Sequence, residues 1–188
     1  MEEKIDLRIQ KTHRALLQAL RELLSEKSFD DISVSELCDR AQTRRATFYK
    51  HFGDKTELLA YMIQELQREY NAQNEASFDD PDPGAGPVRI FRFLLDFLEE
   101  NKGMVRTILN SNGKTVVLNV LNEQLEQDMK YHFRDVVQAG AAPGANPELL
   151  AVLYSGAVIN CAQWWLTKGG RMTKEQIVQQ FSLLVQRT

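Results

Sequence analysis

The sequence predicts an all-α protein, a small N-terminal module of three helices followed by a larger helical bundle. Three observations carry this. Apolar residues recur at helical spacing along nearly the whole chain, with no sustained alternation of the kind a strand requires. Ser33 and Asp54 are each followed three residues later by glutamate, which marks helix starts. The stretch "SFDDPDPGAGP" gathers three prolines and two glycines and cannot continue a helix. With 188 residues, 43% of them hydrophobic, the chain can bury a substantial core.

Taken in order, a first helix covers about residues 7–27. Ile9, Leu16, Leu20, Leu23 and Leu24 fall on its inner face; Arg8, Lys11, Arg14, Gln18 and Arg21 fall on its outer face. Ser33 opens a second helix, with Glu36 as its reciprocal capping partner, and Val34, Leu37, Cys38 and Ala41 form one apolar stripe. Gln42 to Arg44 make a tight turn into a third helix, Arg45 to His51. Asp54 and Glu57 start a long fourth helix through Leu58, Leu59, Met62 and Leu66 to about Ala76. Five more helices follow, roughly 88–101, 104–110, 115–139, 147–168 and 173–186, broken by "NSNGK", "AAPGANP" and "KGGRM". The expected division is a module at 1–53, a connecting helix at 54–76, a Pro/Gly-rich loop at 77–87 and a helical domain at 88–188. The chain has no internal repeat.

A net charge of −3 argues against a protein that coats nucleic acid through charge alone. Yet "TRRATFYKHFGDK" sets two arginines, two lysines and a histidine around three aromatic rings. Between residues 40 and 55, Arg40, Arg44, Arg45, Lys50 and Lys55 meet only Asp54, a local net of +4. Two short helices joined by a tight turn and braced by a first describe a helix-turn-helix, whose second helix lies in the DNA major groove. The local charge marks a face that meets phosphate.

The side chains then divide by role. Phe48 and Phe52, four apart, pack with Leu37 and Ala41 as a small core, which turns Tyr49 outward with its hydroxyl free for a phosphate oxygen. Lys55, in the first turn of the fourth helix, adds an ammonium to the free N–H groups of a helix N-terminus. The Ser33 hydroxyl is expected to serve a phosphate in the same way. Arg44 and Arg45 open the recognition helix, where an arginine fork matches guanine O6 and N7. Thr47, Lys50 and His51 complete the DNA-facing candidates.

Over about residues 8–65, and above all in "DISVSELCDRAQTRRATFYKHFGDKTELL", the chain resembles the DNA-binding region of TetR-family transcriptional regulators. "ISV", "RATFYKHF" and "DKTELL" stand at the family's spacing. The resemblance implies an all-helical homodimer on a near-palindromic operator, with a C-terminal ligand-binding and dimerisation bundle. The implied function is a repressor released by a small-molecule effector. The turn departs from the family's common Ala-Gly-Val-Ser, reading Ala41-Gln42-Thr43-Arg44, so Gln42 stands where glycine tolerates positive φ.

"YSGAVINCAQWWLTKGGRMTKEQIVQQF" resembles the family's C-terminal region, whose last two long helices pair with their counterparts in a dimer. Leu149, Val152, Gly156, Ile159 and Gln163 form one stripe there; Tyr154, Ala157, Cys161 and Trp164 form another. A helix apolar on two faces needs partners on both. Phe93, Phe97, Met104, Tyr131, His132, Cys161, Trp164 and Trp165 are the candidates to line an effector pocket, with plain core as the ordinary role of such residues.

Other classes fit less well. The 18 uncharged positions Leu149 to Leu166 reach the lower edge of a membrane span, but their Asn, Gln, Ser and Tyr suit a buried helix better, and no membrane partner is expected. The charged start "MEEKIDLRIQK" is not a signal peptide, and Cys38 and Cys161 form no CxxC pair, so a cytoplasmic protein with reduced thiols is expected. Three scattered histidines and the lack of HExxH, GxSxG or a phosphate-binding glycine loop argue against an enzyme and against a metal or other cofactor. The alternatives retained are a regulator controlled by a protein partner or lacking an inducer, and an adaptor that has lost DNA binding.

Overall fold

The computed structural model describes residues 7–73, 86–140, 144–168 and 172–185. Among them the chain is helical, with no strand. The helices are α1 (Leu7–Glu26), α2 (Val34–Arg40), α3 (Arg45–His51), α4 (Lys55–Gln73), α5 (Gly86–Glu100), α6 (Lys102–Leu109), α7 (Gly113–Gln138), α8 (Pro147–Thr167) and α9 (Lys174–Val185). One element escaped the sequence reading, a 3-10 turn at Phe29–Asp31 between α1 and α2. The end of the connecting helix at 74–76, most of the Pro/Gly-rich loop at 77–85 and parts of the two later breaks lie outside the described residues.

The chain divides into two compact units. The first holds Met1–Leu66 with Asn101–Val117; the second holds Gln67–Glu100 with Leu118–Thr188. In this division α6 and the start of α7 group with the first three helices.

In the first unit, α1 buries Leu16, Ala19, Leu20, Leu23 and Leu24, the 3–4 spacing of a single apolar stripe. Both α2 and α6 pack against it. Phe29, which opens the 3-10 turn, and Ile32, which follows it, are almost wholly buried. The α6–α7 corner is keyed onto this turn. The backbone N–H of Asn112 donates to the Asp30 carboxylate at 3.0 Å. A Cβ on Gly113 would stand 2.9 Å from Leu59 and 3.0 Å from Phe29, so a side chain there would require these neighbours to shift.

In the second unit, α5 buries Ile90, Phe91, Leu94, Leu95, Phe97 and Leu98 and packs on α8 and α9. Phe91 meets Phe181 of α9 with ring centroids 4.6 Å apart. Lys174 of α9 closes the same seam by pairing with Asp96 and Glu99 of α5. The helix expected from Val88 begins at Gly86, because Pro87 is tolerated in a first turn, where no intrahelical donor is needed. Gly86 lies against the His132 ring with no space for a Cβ.

Candidate nucleic-acid interface

The turn between α2 and α3 sets the interface geometry. The Gln42 N–H donates to the Asp39 carbonyl at 3.2 Å, and the Thr43 N–H donates to the Cys38 carbonyl at 2.8 Å. This 5→2 and 6→1 pair is a Schellman motif, which places the residue after the C-cap in the left-handed region. Gln42 has φ 50°, the one positive φ outside glycine among the described residues. The position glycine usually fills keeps its geometry at a steric cost to glutamine.

Beyond the turn, α3 runs from Arg45 to His51 with Arg44 as its N-cap, a residue that supplies no side-chain cap. Phe48 and Phe52 are buried, with centroids 5.9 Å apart, and fix the inner face of the short helix. The opposite face carries Arg44, Arg45, Ala46, Tyr49 and Lys50, all exposed, with Tyr49 at 58%. Thr47 and His51 are half-buried at its edges. Three cations and a phenol thus share one surface of a helix with no acidic residue on it.

Three basic or polar residues expected to serve phosphate, or counted in the local charge, are otherwise engaged. The Lys55 ammonium donates to the carbonyls of Phe29 at 2.8 Å, Asp30 at 3.0 Å and Ile32 at 2.8 Å, and it sits 4.7 Å from the Phe29 ring centroid. An ammonium has three donors, so none remains for DNA. The neighbouring N–H groups at the start of α4, those of Thr56 and Glu57, donate to Asp54 Oδ1. In this structure Lys55 braces α4 against the 3-10 turn.

Ser33 is likewise engaged within the module. Its hydroxyl accepts from the Glu36 N–H at 3.2 Å and its backbone N–H donates to the Glu36 carboxylate at 3.0 Å, completing the capping box expected from sequence, while the hydroxyl proton goes to the same carboxylate at 2.9 Å. Hydrogen bonding from Lys27, then from Ser33, holds the Glu36 carboxyl down to about 2. Arg40, counted in the local charge, forms a bidentate pair with Glu26 and also reaches Glu22 on α1. Arg44, Arg45 and Lys50 are the cations of this window that stand exposed at α3.

His51 has a partner that sequence spacing did not suggest. His13 of α1 meets it edge to face and also packs against Phe52 and Tyr61, each with centroids 5.0 Å away. The two histidines, 38 positions apart, close one aromatic cluster behind α3.

The effector candidates scatter more widely. Met104 falls in the first unit, so it does not share a compact unit with the other seven. Phe97 is buried; Phe93, His132, Cys161 and Trp165 are half-buried; Trp164 is 45% exposed and so does not line an interior. The Trp165 indole N–H donates to the Met172 carbonyl at 3.1 Å. Tyr131 is exposed on α7. No group of three His, Cys, Asp or Glu able to hold a metal occurs among the described residues.

The expected stripes of α8 are also redrawn. Ala151, Ser155, Val158, Ile159 and Ala162 are buried, so Ile159 leaves the stripe assigned to it. Leu149 and Leu153 at 59% and Val152 at 51% join Ala157 and Trp164 on one exposed face, with Gly156 among them. By length and composition α8 is the one described helix able to cross a membrane.

The family described as "Bacterial regulatory proteins, tetR family" matches residues 16–62, and "Transcriptional regulator C-terminal region" matches 87–187. The HTH-type transcriptional regulator YxbF of Bacillus subtilis (strain 168) is 42% identical over 64 residues. That match covers 34% of this chain and 17% of YxbF. A TetR-family transcriptional regulator from Pectobacterium atrosepticum superposes with TM-score 0.69 at 24% identity, covering 96% of this chain and 95% of its own. The transcriptional regulator FadR from Bacillus subtilis, solved with stearoyl-CoA, superposes with TM-score 0.63 at 13% identity, covering 95% and 96%. At these identities the two structures establish the fold alone.

Proposed function

Since the chain belongs to the tetR family of DNA-binding transcriptional regulators and is not an enzyme, we propose that it is a homodimeric repressor released from a near-palindromic operator by a small molecule. The single observation that carries the DNA side is the α3 surface, where Arg44, Arg45, Tyr49 and Lys50 stand exposed together over a buried Phe48. Arg44 and Arg45 reach base edges; Tyr49 and Lys50 hold phosphate, with Thr47 and His51 at the margin. The N-terminal module reads DNA, α4 connects, and the helical domain from 88 onward regulates.

The exposed face of α8 supports the dimer. Four large apolar side chains and Gly156 along one helix face form a patch that water disfavours and a second copy covers. Two-fold pairing sets the two recognition helices one DNA turn apart, roughly 34–36 Å, and makes the operator near-palindromic.

For the effector, Phe93, Phe97, His132, Cys161 and Trp165 belong to the second unit and offer apolar surface with one imidazole. The ligand must prefer a state in which the recognition helices leave groove spacing, and α4 is the lever between them. Stearoyl-CoA, bound by the structurally similar FadR, is the first probe. In one titration, tryptophan emission reports binding and fluorescein-DNA anisotropy reports release. An effector changes both. Binding without release, for stearoyl-CoA and for a panel of apolar acids, amines and neutral aromatics, overturns the ligand-released reading and leaves DNA binding standing.

A further inference from the structure

Arg45 opens α3, but its guanidinium does not hang free. Nη2 donates to the hydroxyl of Ser35, the second residue of α2 and ten positions earlier. One turn along α2, Cys38 feels the same guanidinium: burial raises its thiol pKa, and the Arg45 charge partly opposes that rise. The side chain therefore lies back along the edge of α2, next to Ser35 and within electrostatic reach of Cys38. Arg44, the adjacent N-cap, makes no capping bond that would restrain its side chain.

We propose that Ser35 is a positioning residue for base recognition, holding the Arg45 guanidinium in one orientation before DNA arrives. The inference rests on the reading that Arg45 meets a base edge. A guanidinium has five N–H donors, and a guanine contact uses two in parallel. The bond to Ser35 uses one Nη2 donor and leaves Nε, Nη1 and the second Nη2 proton, enough for a two-donor fork in a fixed plane. A serine hydroxyl accepting from arginine turns its own proton away, so it neither competes for the base nor repels the guanidinium. An unrestrained arginine forfeits rotamer freedom on docking; one already restrained does not, a difference of about two- to tenfold in binding. The gain appears only at the base that Arg45 reads.

The experiment is selection of duplexes from a random library by the full-length wild-type protein and by Ser35→Ala, Ser35→Thr and Arg45→Ala. Melting temperature and affinity for non-specific DNA are measured beside it. Arg45→Ala is expected to flatten the preference at one position of each half-site. Ser35→Ala flattens that same position about two- to tenfold, with melting temperature and non-specific affinity unchanged, and Ser35→Thr, which keeps the hydroxyl, restores it. Alanine is a better helix former than serine, so the Ser35→Ala module folds. If Arg45→Ala flattens a position and Ser35→Ala does not, Ser35 positions nothing. A Ser35→Ala loss equal on all sequences makes Ser35 a phosphate contact instead and overturns the proposal. No flattening in Arg45→Ala removes base reading by Arg45, and the role of Ser35 with it.

Discussion

The imidazole of His13 meets that of His51 edge to face, with centroids 4.9 Å apart and planes at 87°. One ring comes from the bracing helix, the other from the last residue of the recognition helix. Burial, and secondly the charge of His51, lower the His13 pKa from its ordinary 6.5, while Glu65 partly opposes this.

The folded state therefore binds this proton less readily than the unfolded chain does. The His13 contribution to stability is complete above about pH 6.5 and is lost as pH falls from there toward the depressed folded value. Thermal unfolding followed by circular dichroism between pH 5 and 8 should show wild type losing more melting temperature on the acid side than His13→Phe, which keeps a ring in the cluster. Parallel curves would show that His13 does not titrate between the two states.

Gln42 holds φ 50° where the Schellman motif asks for a left-handed residue. Gln42→Gly removes that strain and adds back some chain entropy to the unfolded state. The net expectation is stabilisation by about 0.5–1 kcal/mol. Urea denaturation checks it, and a destabilised Gln42→Gly would show that the glutamine side chain contributes more than its backbone costs.

Lys55 spends its three donors on the carbonyls of Phe29, Asp30 and Ile32. Lys55→Met should destabilise the module by about 1–3 kcal/mol, the range for groups left without a partner. At temperatures where the variant is folded, the slope of log affinity against log salt should match wild type. A slope smaller by about 0.9 per contact removed, counted once in each protomer, would return Lys55 to the phosphate contacts.

Gly156 offers open space for a side chain, with nothing within 4 Å of the position its Cβ would take. Gly156→Trp should leave the protomer's helicity intact and make it monomeric in sedimentation velocity at micromolar concentration. A dimer that survives the substitution would move the interface off this face of α8, and a monomeric wild type would remove the dimer altogether.

Much of the fold was legible because helices announce themselves locally. The capping pair Ser33 and Glu36, the stripe of α1, and Pro147 opening α8 are all short-range signals. The 3-10 turn at Phe29–Asp31 was not legible, since three residues carry no period. Nor could spacing show that Arg40 answers Glu26, that Lys55 reaches back to Phe29, or that His13 meets His51, because tertiary packing makes those contacts. In α8 the period failed for another reason. The helix is apolar nearly all round, so no sequence stripe distinguishes the face the protomer buries from the one it exposes. The α3 surface was read correctly in outline, with Phe48 and Phe52 inward and Tyr49 outward, and too generously in charge, because two of its five cations serve the module itself.

The central claim is that the exposed face of α3 holds DNA. Its most direct test is the salt dependence of binding to a duplex selected by the protein, measured by fluorescence anisotropy for wild type, Arg44→Ala and Lys50→Ala. Each substitution removes a charge from a solvent-exposed position without touching the buried Phe48, so folding is preserved. If either side chain meets phosphate, its loss should lower affinity and reduce the slope of log affinity against log salt by about 0.9 per contact removed, counted once in each protomer. Affinities and slopes unchanged in both variants would contradict the claim and place the DNA surface elsewhere on the chain.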